Sequence, residues 1–238
     1  LDLDYADPSC GIFAPTIRYH DGTFYMVTTL RDCPPELRGS DPGFRDRNFV
    51  VTAEDPAGDW SEPTILVDRP GIIDPSLFFD DDGRVWYMAN ERALAPPYPS
   101  YRQIWLQELD LESLSLTGER YDLWSGALHG AGTPEAPHIY RREGIYYLMI
   151  AEGGTYYEHA TTIARSDSVY GPYEGNPCNP ILTHRHLGHK YPISNIGHAD
   201  LVETQRGEWW MVALASRPCG GYFYNLGRET FLAPVSWE

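Results

Sequence analysis

Glu135 stands between Pro134 and Pro137 in the stretch Thr133-Pro134-Glu135-Ala136-Pro137-His138-Ile139-Tyr140. Proline fixes its own φ and pushes the preceding residue towards extended backbone, so this segment reads as stiff. A carboxylate held on it has little freedom to seek its own solvent. Alone, it would read as a water-facing glutamate at the start of a strand. Three other residues with chemistry to offer sit in comparable surroundings: Phe13 before Ala14-Pro15, Asp74 before Pro75, and His198 within Gly197-His198-Ala199-Asp200. Carboxyl groups gathered beside an apolar wall can have their pKa values pushed apart, which acid and base work requires.

The elements that must position these residues form a repeat. Each leads through a Gly-bearing turn into an aromatic-rich strand: Thr23-Phe24-Tyr25-Met26-Val27 after Asp21-Gly22, Arg84-Val85-Trp86-Tyr87-Met88 after Asp80-Asp81-Asp82-Gly83, Ile145-Tyr146-Tyr147-Leu148-Met149 after Glu143-Gly144, and Glu208-Trp209-Trp210-Met211-Val212 after Arg206-Gly207. Each is a hairpin signature. Taking Ala14, Asp74, Ala136 and His198 as equivalent, the spacings are 60, 62 and 62 residues. A constant spacing marks stacked or radial repeats. With a third and a short fourth strand after each hairpin, the unit is a propeller blade. The expected fold is all-β, a five-bladed β-propeller type with about four blades in this chain. Residues 1–238 are expected to be one domain, with repeats at roughly 11–70, 71–130, 131–190 and 191–238. The innermost strand of a blade lines the axis, so Phe13, Asp74, Glu135 and His198 are expected on one rim. Asp80-Asp81-Asp82 lacks the ligand spacing of a calcium loop and reads as a turn.

The formal net charge of −16 argues against nucleic acid or an anionic membrane as partner. No apolar run approaches the about 20 residues of a membrane span. Cys10, Cys33, Cys178 and Cys219 are scattered, with no metal or redox spacing. Free thiols in a reducing, cytoplasmic compartment are the expectation. Because the first residue is Leu1, a secreted origin stays open.

Five motifs resemble glycoside hydrolase family 43, β-propellers acting on β-xylosides and α-L-arabinofuranosides. They are Gly11-Ile12-Phe13-Ala14-Pro15, Ile73-Asp74-Pro75-Ser76-Leu77-Phe78-Phe79, Thr133 to Tyr140, Gly197-His198-Ala199-Asp200-Leu201-Val202 and Leu226-Gly227-Arg228-Glu229-Thr230-Phe231-Leu232. The resemblance implies an inverting hydrolase of plant hemicellulose, with Glu135 as general acid and Asp74 orienting it and raising its pKa. It places His198 at the pocket floor, Arg228 near a substrate hydroxyl or a neighbouring carboxylate, and Phe13 where many relatives carry a sugar-stacking Trp. No cofactor is required; an axial calcium or other ion near His198 is the one metal it allows. The implied partner is a xylo-oligosaccharide or an arabinose-substituted oligosaccharide.

The sequence departs from the family at its start. Asp7-Pro8-Ser9 superficially resembles the motif that carries the general base, yet Asp7 lies four residues before Gly11, with no room for a blade between. Leu1–Cys10 reads as the link into a second blade. On that reading the first blade and its base are missing, the chain is an internal fragment, and it should show no appreciable turnover. Exposed inner strand edges would then favour self-association or pairing with the missing blade. A carbohydrate-binding propeller without turnover is the alternative.

Overall fold

β-Branched and aromatic side chains suit a pleated, half-buried surface, and they fill the second strand of every repeat. The computed structural model describes residues 10–237 except 38, 41, 42, 94, 129, 131, 189 and 222. Among these residues the regular structure is almost wholly strand, with 3-10 turns at Pro35–Leu37 and Arg185–Leu187. No helix is long and apolar enough to cross a membrane.

Four sheets follow the chain. The first holds β1 (Gly11–Ile12), β2 (Thr16–His20), β3 (Thr23–Asp32), β4 (Arg45–Ala53) and β5 (Thr64–Asp68). Its inner edge is split: β1 and β2 both pair with β3, parted at Phe13-Ala14-Pro15. The second sheet runs β6 (Ile72–Phe79), β7 (Val85–Arg92), β8 (Arg102–Asp110) and β9 (Ser115–Trp124). The third runs β10 (Glu135–Arg142), β11 (Ile145–Glu152), β12 (Ala160–Ser166) and β13 (Glu174–Gly175). The fourth has β14 (Ser194–Glu203), β15 (Trp209–Ser216) and β16 (Arg228–Val235).

The chain forms two compact units. One takes the residues up to Arg92 together with Gln103–Leu123, around a core including Val27, Val50, Leu77, Tyr87 and Trp105. The other takes Ala93–Arg102 with Trp124 onwards, around Tyr140, Met149, Ile196, Leu201 and Ala215. Each large apolar side chain fully buried in such a core contributes about 1.5–3 kcal/mol.

The hairpin turns come in two kinds. Asp21-Gly22 and Glu143-Gly144 are two-residue turns with both φ values positive, the geometry that matches the twist of flanking strands. Asp80 to Arg84 and Thr204 to Glu208 are longer. Each is closed by a backbone N–H from its first residue to the carbonyl of its last, with Gly83 or Gly207 donating back inside. The three aspartates at residues 80–82 thus build a turn: Asp80 Oδ1 accepts from the Asp81 N–H and Asp82 Oδ1 from the Arg84 N–H.

One distortion recurs at the start of three sheets. Between Ile73 and Ser76, Glu135 and His138, and Gly197 and Asp200, the inner strand advances three residues while its partner advances two. Each is a β-bulge, and in each a non-glycine residue is left-handed: Asp74 at φ 53°, Ala136 at 51°, His198 at 49°. These are the residues that the even spacing aligns. A left-handed non-glycine residue costs on the order of 1–3 kcal/mol and persists only where its surroundings enforce it.

The cysteine expectation fails at one pair. Cys10 and Cys33 form a disulfide, with Cα atoms 6.2 Å apart. They are 23 residues apart in sequence, but β1 pairs with the end of β3, Gly11 opposite Arg31, and brings them together. Strand register made this pair, and sequence spacing does not reveal register. Cys178 and Cys219 are free and exposed.

Candidate active site

In the first unit, the bulge of β6 turns Asp74 inward, where it is only 7% exposed. Its backbone N–H donates to Thr29 Oγ1 at 3.2 Å. Thr29 Oγ1 donates in turn to Asn48 Oδ1 at 2.7 Å, and Asn48 Nδ2 donates to the Tyr87 hydroxyl at 2.7 Å. Asn90 Nδ2 reaches Asp74 Oδ2 at 3.3 Å and the Ile73 carbonyl at 3.1 Å. Thr29, Asn48, Tyr87 and Asn90 are fully buried. Such a chain of satisfied polar groups is rigid, and its members polarise one another. Burial pushes the Tyr87 phenol well above its ordinary value, and the charge of Asp74 adds to the rise. Tyr87 therefore stays a neutral hydrogen-bonding group.

Phe13 hangs on the same threonine. Its backbone N–H donates to the Thr29 carbonyl at 2.9 Å, and its carbonyl accepts from Thr28 Oγ1. The Arg31 guanidinium lies over the Phe13 ring at 4.8 Å and over Phe44 at 3.9 Å, while making two hydrogen bonds to the Asp46 carboxylate. The ring is thus half-buried and held on one side by a cation.

In the second unit, Glu135 opens β10 opposite Ala151, immediately before left-handed Ala136. A carboxylate oxygen of Glu135 and a ring nitrogen of His198 lie within 4.8 Å of each other. The loops before Glu135 are laced together. Buried Glu152 accepts the backbone N–H groups of Ala127 and Leu128, Thr133 donates to the Ser100 carbonyl, and Gly153 donates to the Gly132 carbonyl. Gly126 is left-handed at φ 96°, and a Cβ there would fall 1.6 Å from Glu152 Oε1, so a substitution would displace the carboxylate that holds the loop.

His159 is nearly fully buried against Gly197, the residue before His198, with Nδ1 2.9 Å from the Asn195 carbonyl oxygen. Burial pushes its imidazole down to about 4; the bond to Asn195 opposes this, and the charges of His198 and Arg228 add to it. Arg228 itself is exposed at the start of β16. Its neighbour Glu229 is engaged by Arg217, through bonds of 2.7 and 2.5 Å.

The family model described as Glycosyl hydrolases family 43 matches residues 2–238. The chain belongs to that family. Among similar proteins, a xylosidase/arabinosidase of Butyrivibrio fibrisolvens is 52% identical over 98% of this chain and 43% of its own length. A non-reducing end α-L-arabinofuranosidase of Bacteroides ovatus is 40% identical over 96% of this chain and 39% of its own. The crystal structure of a xylan β-1,4-xylosidase from Bacillus halodurans superposes with a TM-score of 0.86 at 38% identity, covering 100% of this chain and 44% of that one. The family 43 chain therefore spans less than half the length of these relatives. The all-β propeller expectation holds, with four blade sheets among the described residues.

Within the second unit the structure brings Glu135 and His198 together, and within the first it ties Phe13 and Asp74 to one threonine. Asp7 lies outside the described residues. His159, Thr29, Asn48 and Glu152 were not foreseen. They lie in ordinary strand and loop sequence, and only the fold gives them partners. For an axial calcium, the donors this unit gathers are one imidazole nitrogen and one carboxylate oxygen. Calcium takes six to eight oxygen ligands, of which the Glu135 carboxylate offers one here.

Proposed function

We propose that this family 43 protein is an inverting glycoside hydrolase that cleaves β-xylosides or α-L-arabinofuranosides from xylo-oligosaccharides or arabinose-substituted oligosaccharides. The observation that carries this reading is the placement of Glu135. It is a carboxylate on a bulged strand start, backed by laced loops and beside His198. The three similar proteins above are named for xylosidase, arabinosidase or arabinofuranosidase activity, which supports the substrate class.

In the proposed reaction Glu135 protonates the glycosidic oxygen as the bond to the leaving group breaks. Asp74 takes the orienting role, held rigid by Thr29 and Asn90. As the family resemblance implies, His198 and Arg228 bind sugar hydroxyls and Phe13 supplies an apolar wall. Inversion needs a second carboxylate across the sugar ring, about 6.5–9.5 Å from the first, to activate water.

The test is hydrolysis of aryl β-D-xyloside and aryl α-L-arabinofuranoside by purified protein that carries this chain together with the second carboxylate, with the anomer of the first-formed sugar read by proton NMR. The inverted anomer is expected. Retained configuration would refute the inverting mechanism. Sugar binding with no turnover on either substrate would favour the carbohydrate-binding alternative.

A further inference from the structure

The start of β14 is the least regular strand segment in the second unit. Its register against β15 slips on both sides of Gly197, and both Asn195 (φ 57°) and His198 (φ 49°) are left-handed. The ladder with β15 is interrupted where it would have to hold this segment. Left-handed non-glycine residues relax unless something else holds them. The group in contact at that point is His159. A Cβ on Gly197 would fall 2.5–2.7 Å from its ring atoms, so the ring lies directly on the glycine backbone. Its Nδ1 meets the Asn195 carbonyl at 2.9 Å. His159 is itself fixed, since its N–H donates to the Tyr156 carbonyl and its carbonyl accepts from Thr183 Oγ1.

We propose that His159 is a positioning residue for His198: its ring, seated on Gly197 and bonded to the Asn195 carbonyl, fixes the doubly bulged segment that aims the His198 side chain. The assignment of a sugar to His198 rests on the function proposed above. A carbonyl partner requires the proton on Nδ1, and a buried Nε2 with no hydrogen-bond partner among the described residues suits the neutral ring, which carries its lone pair there. A neutral ring adds no positive charge of its own near His198 and Arg228. Its depressed titration agrees with that state. His159 is only 1% exposed, so it acts through His198 and does not touch substrate.

The experiment combines ring ¹⁵N NMR of histidine-labelled protein with titration of D-xylose and L-arabinose. At pH 7 the wild type should show His159 protonated at Nδ1 alone. His159→Phe keeps a flat ring but removes the donor; Gly197→Ala keeps the donor but drives a methyl into the ring. Both should shift the His198 ring signals and weaken sugar binding about tenfold, the scale of one lost hydrogen bond. Unmoved His198 signals in a folded His159→Phe protein would overturn the proposal. Should neither variant fold, the wild-type spectrum decides, because an Nε2-protonated or charged His159 at pH 7 also overturns it. Failure of the wild type to bind either sugar would instead defeat the substrate reading, leaving the His198 signals to judge His159.

Discussion

The phenol of Tyr140 donates a 2.7 Å hydrogen bond to Asp200 Oδ1 and accepts one of 2.8 Å from the Leu201 backbone N–H. Through this one side chain, β10, which carries Glu135, is fastened to β14, which carries His198. His138 flanks the junction, its Nδ1 3.7 Å from the same Asp200 oxygen.

Tyr140→Phe should therefore destabilise the protein by about 1–3 kcal/mol, because a buried hydroxyl with two partners is lost. The Leu201 N–H keeps Asp200 as acceptor at 2.9 Å, which holds the loss below that of an orphaned donor. Denaturant unfolding measures it. A change under 0.5 kcal/mol, on the order of ordinary surface substitutions, would mean the junction is not a fastening.

In the intact enzyme, replacing Glu135 by Ala should slow substrates with poor leaving groups by about 10²–10⁴-fold, while aryl glycosides with good leaving groups lose far less. A good leaving group departs without needing a proton. Comparing kcat/KM across a series of aryl leaving groups checks this, and equal losses throughout would remove Glu135 from the acid role.

His159 should make stability fall with acid. Its folded pKa of about 4 lies below the ordinary histidine value, so between those limits the unfolded chain binds more protons. Stability is then fully present above about pH 6.5 and is lost as pH falls through 4, by up to about 3 kcal/mol. Unfolding free energies at pH 7 and pH 4, for wild type and His159→Phe, should show the variant's curve flatter by that amount. Parallel curves would contradict a neutral buried imidazole.

The Cys10–Cys33 disulfide can be counted directly. Denatured without reductant, the protein should expose two reactive thiols, Cys178 and Cys219, and four after reduction. Closing a loop of this length stabilises by about 3 kcal/mol in the chain-entropy account, so reductant should lower the melting temperature. Four thiols without reductant would refute the bond.

Ala136 separates backbone strain from side-chain effects. At φ 51° and 2% exposure, Ala136→Gly relieves the left-handed cost but loses a buried methyl and gains unfolded-state entropy. These contributions are each about 1 kcal/mol and opposed, so the change should be near neutral. Ala136→Val adds a β-branched side chain at positive φ in a packed site, and should cost about 2–3 kcal/mol. Thermal unfolding of both variants tests the contrast.

The blades were legible because their signals are local. A glycine at a turn and an aromatic strand after it specify a hairpin whatever surrounds them, and the 60–62-residue spacing located Asp74, Ala136 and His198. Their left-handed backbone was not legible, since Asp, Ala and His carry no preference strong enough to announce it and tertiary packing enforces it. Glu135 stood out through its two prolines. His159 did not: Glu158-His159-Ala160 looks like any strand start, and its meaning lies in Gly197, 38 residues on. Cys10 and Cys33 were misread for the same reason, because β1 and β3 meet by register and not by motif.

The shared bulge at Asp74, Ala136 and His198 makes the blade start an interchangeable socket. Three blades hold one backbone geometry and fit it with an acid, a methyl and an imidazole. The fold has already met the conformational cost at each, so new chemistry there requires a change of side chain and no change of scaffold. Ala136 is the socket left without a functional group. At 2% exposure it has room for that methyl alone, so the socket's occupant is set by the space above it as well as by the backbone beneath.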